Sequence, residues 1–517
     1  MSELDVFFVV PRNVKDWPGG GFPDAIEPPA TARWIMAYLK RHGCGQAIID
    51  ANLTNDTPEK IAKQVVAANP LFVMMPVLGY NPSASTMTMS SARVHAQAIK
   101  DLAPQLPIMV SGTHPAALPA ETLVDEPIDF VCGGEGPITV HELIQALKAG
   151  GREQDISKVG SLWYRAGEGS NRHIVHTAPA PLLDLNEWPA IGGWEFMDPQ
   201  QYQPHHWQMF YRPEDVPYAN PFARLGCPFH CSFCNIQAPF REGEERERAQ
   251  GRRKLGVNSF RSLDPALFVK EVEHLVKTYG VEHFKIPDEM FMLDTSYWTK
   301  IFRMIAERFG DQLNFWCYAR VDTCDPRALE VFRKGGGRWL ALGIEAAGGA
   351  IRDGQDKGFD DDLVRERVRR AREAGIALAL NYIFGLPGDT PESMLETLKL
   401  ACQLKGEYSN FYGTMALPGS ALYEEAIREA RHLLPNGWSG FAQYSWGFKP
   451  YYRGDALTPA EIVAFRDWAH RTFLEYPAYR DMLRRHPDFG EPALATIDTW
   501  IGEIKGLRRE LLGHPKP

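Results

Sequence analysis

Apolar runs typical of buried strands alternate with helix-like stretches along the first 150 residues of this chain. The strand-like runs are DVFFVV (5–10), QAIID (46–50), LFVMMP (71–76), PIMVS (107–111) and DFVC (129–132). The spacing of apolar residues predicts helices over 30–42, 58–68, 87–102 and 138–149. This alternation is typical of an α/β, doubly wound, Rossmann-like domain, to which we assign residues 1–150.

The loops that follow these strands are rich in glycine and small residues. Ligands of open α/β sheets bind beyond the carboxyl ends of the strands, where glycine lets the backbone approach them closely. Ordinary tight turns are the alternative, but the repetition along one edge favours a nucleotide-like or tetrapyrrole-like ligand. The candidate binding residues are Gly79, Ser111, Gly112, Thr113, His114, Gly133, Gly134, Glu135 and Gly136.

A second alternation of strands and helices covers residues 216–425. Strands are predicted near 220–225, 283–287, 314–320, 338–344, 377–384 and 410–416. Six such units predict a partial TIM-like (β/α)6 barrel, with its active site at the carboxyl ends of the strands. Residues 151–215 are predicted to be an ordered connector, and residues 426–517 a helical C-terminal region. Helix starts are indicated by Thr57-Pro58, Asp264-Pro265, Asp325-Pro326, Thr390-Pro391 and Thr458-Pro459.

The overall charge limits the choice of partners. The formal net charge of -9 argues against a nucleic-acid-binding surface, which needs a basic stripe. No apolar segment approaches the roughly 18 residues that span a bilayer, so we expect a cytoplasmic protein without membrane contact. Eight cysteines in 517 residues are too few for a disulfide framework. A small-molecule substrate fits these properties best.

Three of the cysteines, Cys227, Cys231 and Cys234, form a C-x3-C-x2-C pattern directly after the first predicted barrel strand. A 4Fe-4S cluster is usually held by four thiolates, so three close ligands leave one iron open for another group. A zinc site would normally add a second pair of cysteines or histidines, and no such pair follows at suitable spacing. Zinc and purely structural cysteines remain the alternatives.

The pattern, with aromatic Phe233 before the last cysteine, resembles the signature of the radical S-adenosylmethionine (SAM) superfamily. This resemblance implies a partial TIM-like barrel, SAM chelated by the open iron, and reductive release of a 5'-deoxyadenosyl radical. It also implies that Phe233 packs near the adenine. Residues at the predicted strand ends would contribute to SAM binding, or else form structural ion pairs and caps: Asp288, Glu289, Arg320, Glu345 and Asn381.

The N-terminal domain resembles that of the cobalamin-binding radical SAM enzymes. The matching segments are PPATARWIMAYLKRHG (28–43), VSGTHPAALP (110–119) and DFVCGGEGP (129–137). None of the fifteen histidines has the D-x-H spacing of many cobalt-ligating proteins, and His114 is the nearest candidate. This departure is compatible with cobalamin bound without a protein histidine.

The resemblance implies a cobalamin-dependent C-methyltransferase that acts on an unactivated carbon of a small molecule and consumes two SAM molecules. Radical oxidation, cyclisation or rearrangement without methyl transfer is the main alternative. A non-catalytic cobalamin- or cluster-binding protein is a third possibility. An electron donor such as flavodoxin or ferredoxin is the expected protein partner.

Overall fold

The computed structural model describes residues 4–12, 25–54, 56–78, 82–150, 153–167, 169–189, 191–205, 207–211, 217–252, 259–443, 445 and 447–511. Gly79, one of the predicted ligand-binding residues, lies outside these ranges. Within them, no helix combines the length and apolar character needed to cross a bilayer.

The N-terminal domain is built on a seven-stranded sheet. Its strands are β1 (Val6–Val10), β2 (Gln46–Asp50), β3 (Phe72–Pro76), β4 (Ile108–Ser111), β5 (Phe130–Cys132), β6 (Leu162–Ala166) and β7 (His173–His176). They are arranged in the order β2-β1-β3-β4-β5-β6-β7, and β1 to β5 pair in parallel.

The helices of this domain cover both faces of the sheet. They are α1 (Ala30–Arg41), α2 (Pro58–Ala68), α3 (Ser85–Leu102), α4 (Thr113–Ala117), α5 (Pro119–Asp125), α6 (Pro137–Lys148) and α7 (Glu153–Ile156). α1 and α6 pack on one face, whereas α2 and α3 pack on the other. β1 and β3 are consequently buried along their whole length, as expected for parallel strands between two helical layers. The predicted α/β, doubly wound fold is confirmed.

β6 and β7 fall in the segment predicted to be a connector. They form an antiparallel hairpin, and β6 also pairs antiparallel with β5. β6 alternates buried and partly buried residues, but runs of five and four residues are too short to identify from periodicity. The N-terminal sheet therefore extends to His176 rather than ending near residue 150.

The second half of the chain forms a partial barrel of parallel strands, as predicted. Its six-stranded sheet has the order β15-β14-β13-β12-β11-β8, and β9 and β10 form a separate antiparallel ribbon. The strands are β8 (Tyr218–Ala219), β9 (Arg224–Gly226), β10 (Phe260–Ser262), β11 (His283–Ile286), β12 (Asn314–Arg320), β13 (Gly337–Glu345), β14 (Ala377–Phe384) and β15 (Tyr408–Gly413).

The first predicted barrel strand, 220–225, differs from the structure. β8 is a two-residue barrel strand, and β9 leaves the barrel to pair with β10. Gly226 has φ +83°, and a Cβ there would lie 2.0 Å from the Ser259 carbonyl oxygen, so glycine permits this close crossing. The cysteine motif therefore follows the ribbon rather than a barrel strand.

Helices surround the barrel and form the C-terminal region, as predicted. They are α8 (Arg241–Ala249), α9 (Pro265–Tyr279), α10 (Thr295–Phe309), α11 (Leu329–Lys334), α12 (Gly349–Asp353), α13 (Asp361–Glu373), α14 (Pro391–Leu404), α15 (Ala421–Glu429), α16 (Pro459–Leu474), α17 (Pro477–Arg485) and α18 (Gly490–Leu511). One apolar core joins α1, the barrel strands and α18, so the two domains and the C-terminal helices pack continuously.

Side-chain caps fix most of the predicted helix starts. Thr57, Asp264, Thr390 and Thr458 each accept a hydrogen bond from a backbone N–H in the first turn of α2, α9, α14 and α16. The prediction at Asp325 was wrong. Asp325 accepts from the backbone and side chain of Arg327 within a turn, and α11 begins only at Leu329.

Candidate functional site

A cavity that is open to solvent lies between the N-terminal domain and the barrel. We call it the interdomain cavity. Its N-terminal wall contains predicted residues from the loops after β4 and β5, and its barrel wall contains predicted residues that follow β11. These residues are Ser111, Gly112, Thr113, Gly134 and Glu135 on the first wall, and Asp288 and Glu289 on the second.

The loop after β4 presents unpaired hydroxyl groups. The side-chain oxygens of Ser111 and Thr113 are buried and have no hydrogen-bond partner in the protein. Gly112 between them has φ +134°, and a Cβ there would lie 2.0 Å from the Val77 carbonyl oxygen. The loop therefore depends on glycine to hold two polar groups that still lack partners.

The loop after β5 is held in place by contacts on its side away from the cavity. A Cβ on Gly133 would lie 2.2 Å from Glu242 Oε1, and Gly136, with φ +106°, precedes the proline that begins α6. Neither glycine lines the cavity. Glu135 does, but its Oε2 accepts from the Leu183 backbone N–H at 2.8 Å and from Arg261 Nη1 at 3.2 Å. Its charge is thus neutralised within the wall.

His114 lies on helix α4 rather than in a loop, and it does not line the cavity. Its Nδ1 is 3.3 Å from Thr86 Oγ1, and its ring packs edge-on against Trp438 at 4.4 Å between centroids. Burial lowers the pKa of His114 to about 3, so the ring is neutral. The structure therefore separates His114 from the other predicted residues of this loop.

The barrel wall carries two acidic groups. Asp288 Oδ1 accepts from the Ala223 backbone N–H at 2.9 Å, whereas Oδ2 is buried without a partner. Burial raises the pKa of Asp288 well above its ordinary value. Burial also raises the pKa of Glu289 to about 7, and its Oε2 has no partner.

A buried ion pair joins the two domains on the floor of the cavity. Lys285 Nζ on β11 lies 2.9 and 2.8 Å from the two carboxylate oxygens of Glu27, which precedes α1. His205 Nε2 contacts Glu27 Oε1 at 3.1 Å, and Tyr318 also faces this floor. Glu27 and Lys285 are 258 positions apart in the chain, so no local pattern indicates their pairing.

The three predicted cluster cysteines lie in one loop, residues 227–234, which we call the cluster loop. None of the three thiols forms a disulfide bond. Burial raises the pKa of Cys227 and Cys234 to about 12, and raises that of Cys231 as well. Thiols that are so costly to ionise need a strong positive charge, such as iron, to become thiolates.

No group of three or more His, Cys, Asp or Glu side chains in the described ranges is arranged to hold a single metal ion. A 4Fe-4S cluster distributes its thiolates over different irons, so its ligands do not need to converge on one point.

Arg320 and Glu345 lie next to the cluster loop. Arg320 donates to Cys231 Sγ at 3.5 Å and pairs with both carboxylate oxygens of Asp322 at 3.0 and 2.9 Å. Glu345 is buried and accepts from Lys357 Nζ at 2.7 Å. Lys357 was not predicted from the sequence; a lysine followed by glycine in the loop after the Glu345 strand is the only signal that it offers.

Asn381 and Phe233 lie outside the interdomain cavity wall. Asn381 Oδ1 accepts from Asn410 Nδ2 at 3.0 Å, which ties β14 to β15. Phe233 packs against the apolar cluster that contains Leu417, Leu422 and Tyr423 near α15. The structure therefore gives each of them a packing or hydrogen-bonding partner in the barrel.

Comparisons with known proteins agree with this arrangement. Residues 24–144 match the family model described as B12 binding domain, and residues 225–401 match the radical SAM superfamily. The chain is a cobalamin-binding radical SAM enzyme. Its cofactors are a 4Fe-4S cluster, SAM and cobalamin.

The curated relatives of this radical SAM enzyme include two kinds of catalyst. It is 25% identical over 470 residues to the anaerobic magnesium-protoporphyrin IX monomethyl ester cyclase of Rubrivivax gelatinosus, covering 89% of this chain and 77% of the relative. It is also 25% identical over 393 residues to an uncharacterized methyltransferase of Pyrococcus horikoshii, covering 76% and 77%.

Solved structures show the same fold for this radical SAM enzyme. The methyltransferase TsrM from Kitasatospora setae, with tryptophan and a SAM analogue bound, has a TM-score of 0.65 at 17% identity and covers 98% of this chain and 99% of that one. OxsB, with aqua-cobalamin and SAM bound, has a TM-score of 0.68 at 13% identity, covering 98% and 73%.

The residues present fit the cofactors of a cobalamin-binding radical SAM enzyme. Ser111, Thr113 and Asn220 line the cavity and each has a buried side-chain oxygen without a partner, so the three residues suit a ligand that offers hydrogen-bond donors. The three thiols of the cluster loop, with Arg320 beside Cys231, suit an anionic iron–sulfur cluster. These features are observations of the chain itself and do not depend on the relatives.

Proposed function

We propose that the protein is a cobalamin-dependent radical SAM C-methyltransferase that acts on an unactivated carbon of a small molecule. The observation that carries the proposal is the shared cavity: the loops after β4 and β5 form one wall, and the residues after β11 form the other. A substrate between these walls would lie between the proposed cobalamin site and Asp288 and Glu289 of the proposed SAM site. When bound, the cluster and SAM supply a hydrogen-abstracting radical, and cobalamin supplies the methyl group.

The proposed roles of the residues follow the two walls. Cys227, Cys231 and Cys234 would hold the cluster. Asp288, Glu289, Arg320, Glu345, Asn381 and Phe233 would belong to the SAM site. The cobalamin site would comprise Gly79, Ser111, Gly112, Thr113, His114, Gly133, Gly134, Glu135 and Gly136. For His114, a supporting role behind the loop fits its packing against Trp438 better than direct contact.

The chain contributes orientation and exclusion of water. Asp288 is positioned by the Ala223 N–H, and its second carboxyl oxygen, which has no partner in the protein, would be available to a ligand in the cavity. Trp34, Phe222 and Phe240 provide apolar lining that keeps a reactive centre away from solvent.

Radical oxidation or cyclisation without methyl transfer is the second candidate. It is favoured by relatives named magnesium-protoporphyrin IX monomethyl ester cyclases in three organisms, at 25–26% identity. These relatives and the methyltransferases have comparable similarity to this chain, so chemistry must decide between them. The third, non-catalytic alternative gains no support from the relatives.

Isotopically labelled SAM separates the two candidates without knowledge of the substrate. The reduced holoenzyme is incubated anaerobically with SAM carrying a CD3 group. A methyltransferase yields S-adenosylhomocysteine and cobalamin that carries the CD3 group, faster than protein-free cobalamin does. Formation of 5'-deoxyadenosine alone, with unlabelled cobalamin, would instead support the oxidation candidate.

A flavodoxin- or ferredoxin-type electron donor and a cytoplasmic location complete the proposal. The donor is supported by the position of the cluster loop, because His230, between two of the cysteines, is exposed at the surface. An electron donor docked there would approach the cluster without entering the interdomain cavity.

A further inference from the structure

Lys357 is a buried cation beside the cluster loop that the predicted site does not include. Its side chain is only 6% exposed, and its ammonium lies 2.7 Å from Glu345 Oε1. Among the described residues, Glu345 is its only side-chain or carbonyl acceptor. An ammonium has three N–H donors, so two remain available in a place sheltered from water.

The backbone conformation around Glu345 directs its carboxylate towards Lys357. The register between β13 and β14 shifts between Gly343 and Glu345, and Glu345 has φ +64°, which is rare for a residue with a side chain. A Cβ on Gly343 would lie 2.4 Å from Glu345 Oε1 and 3.0 Å from Lys357 Nζ. A bulge, a strained residue and a glycine therefore combine to place this ion pair.

The loop that carries Lys357 is attached directly to the cluster loop. Ser232 donates a hydrogen bond to Gln355 Oε1, two residues before Lys357. Arg320 Nη2 donates to the Lys357 carbonyl oxygen at 3.3 Å. Lys357 is thus held beside Cys231 by a side chain of the cluster loop and by a second cation.

Arg320 is less available than Lys357. One edge of its guanidinium, formed by Nε and Nη2, is occupied by Asp322, and Nη1 donates to Cys231 Sγ at 3.5 Å. Its plane also stacks on Phe229 of the cluster loop, at 3.9 Å from the ring centroid. Its charge is paired, and its free donor is directed at a cluster ligand.

We propose that Lys357, rather than Arg320, binds the carboxylate of SAM, and that Arg320 adjusts the potential of the cluster through Cys231. The ammonium of Lys357 remains paired with Glu345 and adds the SAM carboxylate as a second acceptor. Hydrogen bonds to cluster sulfurs are one of the factors that set the reduction potential of a cluster. The hydrogen bond from Arg320 to Cys231 Sγ would therefore shift this potential. The inference rests on the proposed roles of Cys231 and Glu345, but not on methyl transfer.

Binding of SAM and of decarboxylated SAM tests the assignment, because the two ligands differ only in the carboxylate. Dissociation constants are measured by anaerobic equilibrium dialysis on cluster-reconstituted enzyme. We expect the wild type to prefer SAM, because the open iron and Lys357 would both hold the carboxylate. Lys357→Met and Lys357→Gln should lower this preference by about tenfold to a hundredfold, the range for a hydrogen bond between charged groups. Lys357→Arg should retain most of it.

Two control variants separate the roles. Lys334→Met removes an exposed lysine that is paired with Glu330, and should leave the preference unchanged. Arg320→Gln should lower the preference less than Lys357→Gln does, and it should shift the midpoint potential of the cluster in an EPR-monitored titration. Iron content confirms that each variant carries its cluster before binding is compared.

The proposal is overturned if the wild type shows no preference for SAM, or if both uncharged Lys357 variants retain the full wild-type preference. It is also overturned if Arg320→Gln abolishes the preference. A failure of methyl transfer would leave all these binding results unaffected, so the two proposals fail separately.

Discussion

The two walls of the interdomain cavity are built from different chemistry. The N-terminal wall presents hydroxyls and glycine backbone, and its two acidic groups are both paired, Glu135 with Arg261 and Glu27 with Lys285. The barrel wall presents Asp288 and Glu289 with unpaired oxygens and the buried cation Lys285. We infer that the first wall would recognise a ligand mainly by shape and neutral hydrogen bonds, whereas the second wall would offer buried carboxyl oxygens that still lack partners.

Loss of the cluster should affect the functions of the two walls most differently. Cys227→Ala, Cys231→Ala or Cys234→Ala should abolish SAM cleavage, because a cluster loop with two thiolates cannot retain the cubane. Cobalamin binding should persist. Iron and sulfide content, 5'-deoxyadenosine release and the cobalamin absorption spectrum measure these effects. Retained cleavage in all three variants would disprove the cluster assignment.

The ion pair between Glu27 and Lys285, which joins the two walls, should have a large effect on the free energy of unfolding. Lys285→Met leaves the Glu27 carboxylate buried without its cation, which costs about 3–5 kcal/mol of unfolding free energy. The double variant Glu27→Gln/Lys285→Met should recover part of this loss because it leaves no unpaired charge. Urea unfolding measures both. Equal destabilisation in the single and double variants would mean that packing, rather than charge pairing, accounts for the effect.

Cobalamin binding at the N-terminal wall should be sensitive to a single added methyl group. Gly112→Ala places a Cβ against the Val77 carbonyl oxygen in a backbone conformation that disfavours side chains. A cost of about 1–3 kcal/mol corresponds to about tenfold to a hundredfold weaker cobalamin binding. Gly447→Ala, where a Cβ meets nothing within 4 Å, is the matched control. Equal affinity in both variants would show that this loop does not contact cobalamin.

The smallest effect is expected at the barrel wall, in the pH dependence of the unfolding free energy of the apo-protein. Burial raises the pKa of Glu289 to about 7, so the folded state holds its proton more tightly than the unfolded state does. The unfolding free energy should therefore fall by about 1–3 kcal/mol as pH rises from about 5 to 8.

Glu289→Gln should reduce this fall, measured by urea unfolding across the same pH range. The remaining slope should include Glu271, whose pKa burial also raises to about 7. An unchanged slope in the variant would show that Glu289 ionises normally in the folded protein.

The fold could be predicted from the sequence wherever apolar runs are long enough to define a period. Helix α2, for example, was predicted over 58–68 and spans those residues, because Thr57 and Pro58 fix its start. The ribbon of β9 and β10 could not be predicted, since its pairing depends on a close contact between Gly226 and Ser259. Short strands held by distant partners leave no periodic signal.

The candidate site could be predicted where one strand or loop carries the chemistry, as in the cluster loop. Pairings across the chain could not. Glu27 with Lys285, and Glu345 with Lys357, become visible only once tertiary structure brings their charges together. His114 illustrates the opposite problem, because its neighbours in sequence line the cavity while its own ring packs behind the loop.

Pulsed EPR on enzyme that contains both cob(II)alamin and the reduced cluster tests the shared cavity most directly. The account predicts a dipolar interaction between the two paramagnetic centres, which disappears in Cys231→Ala while the cob(II)alamin signal itself remains. A cob(II)alamin signal that is identical with and without the cluster would contradict a cavity walled by both cofactor sites.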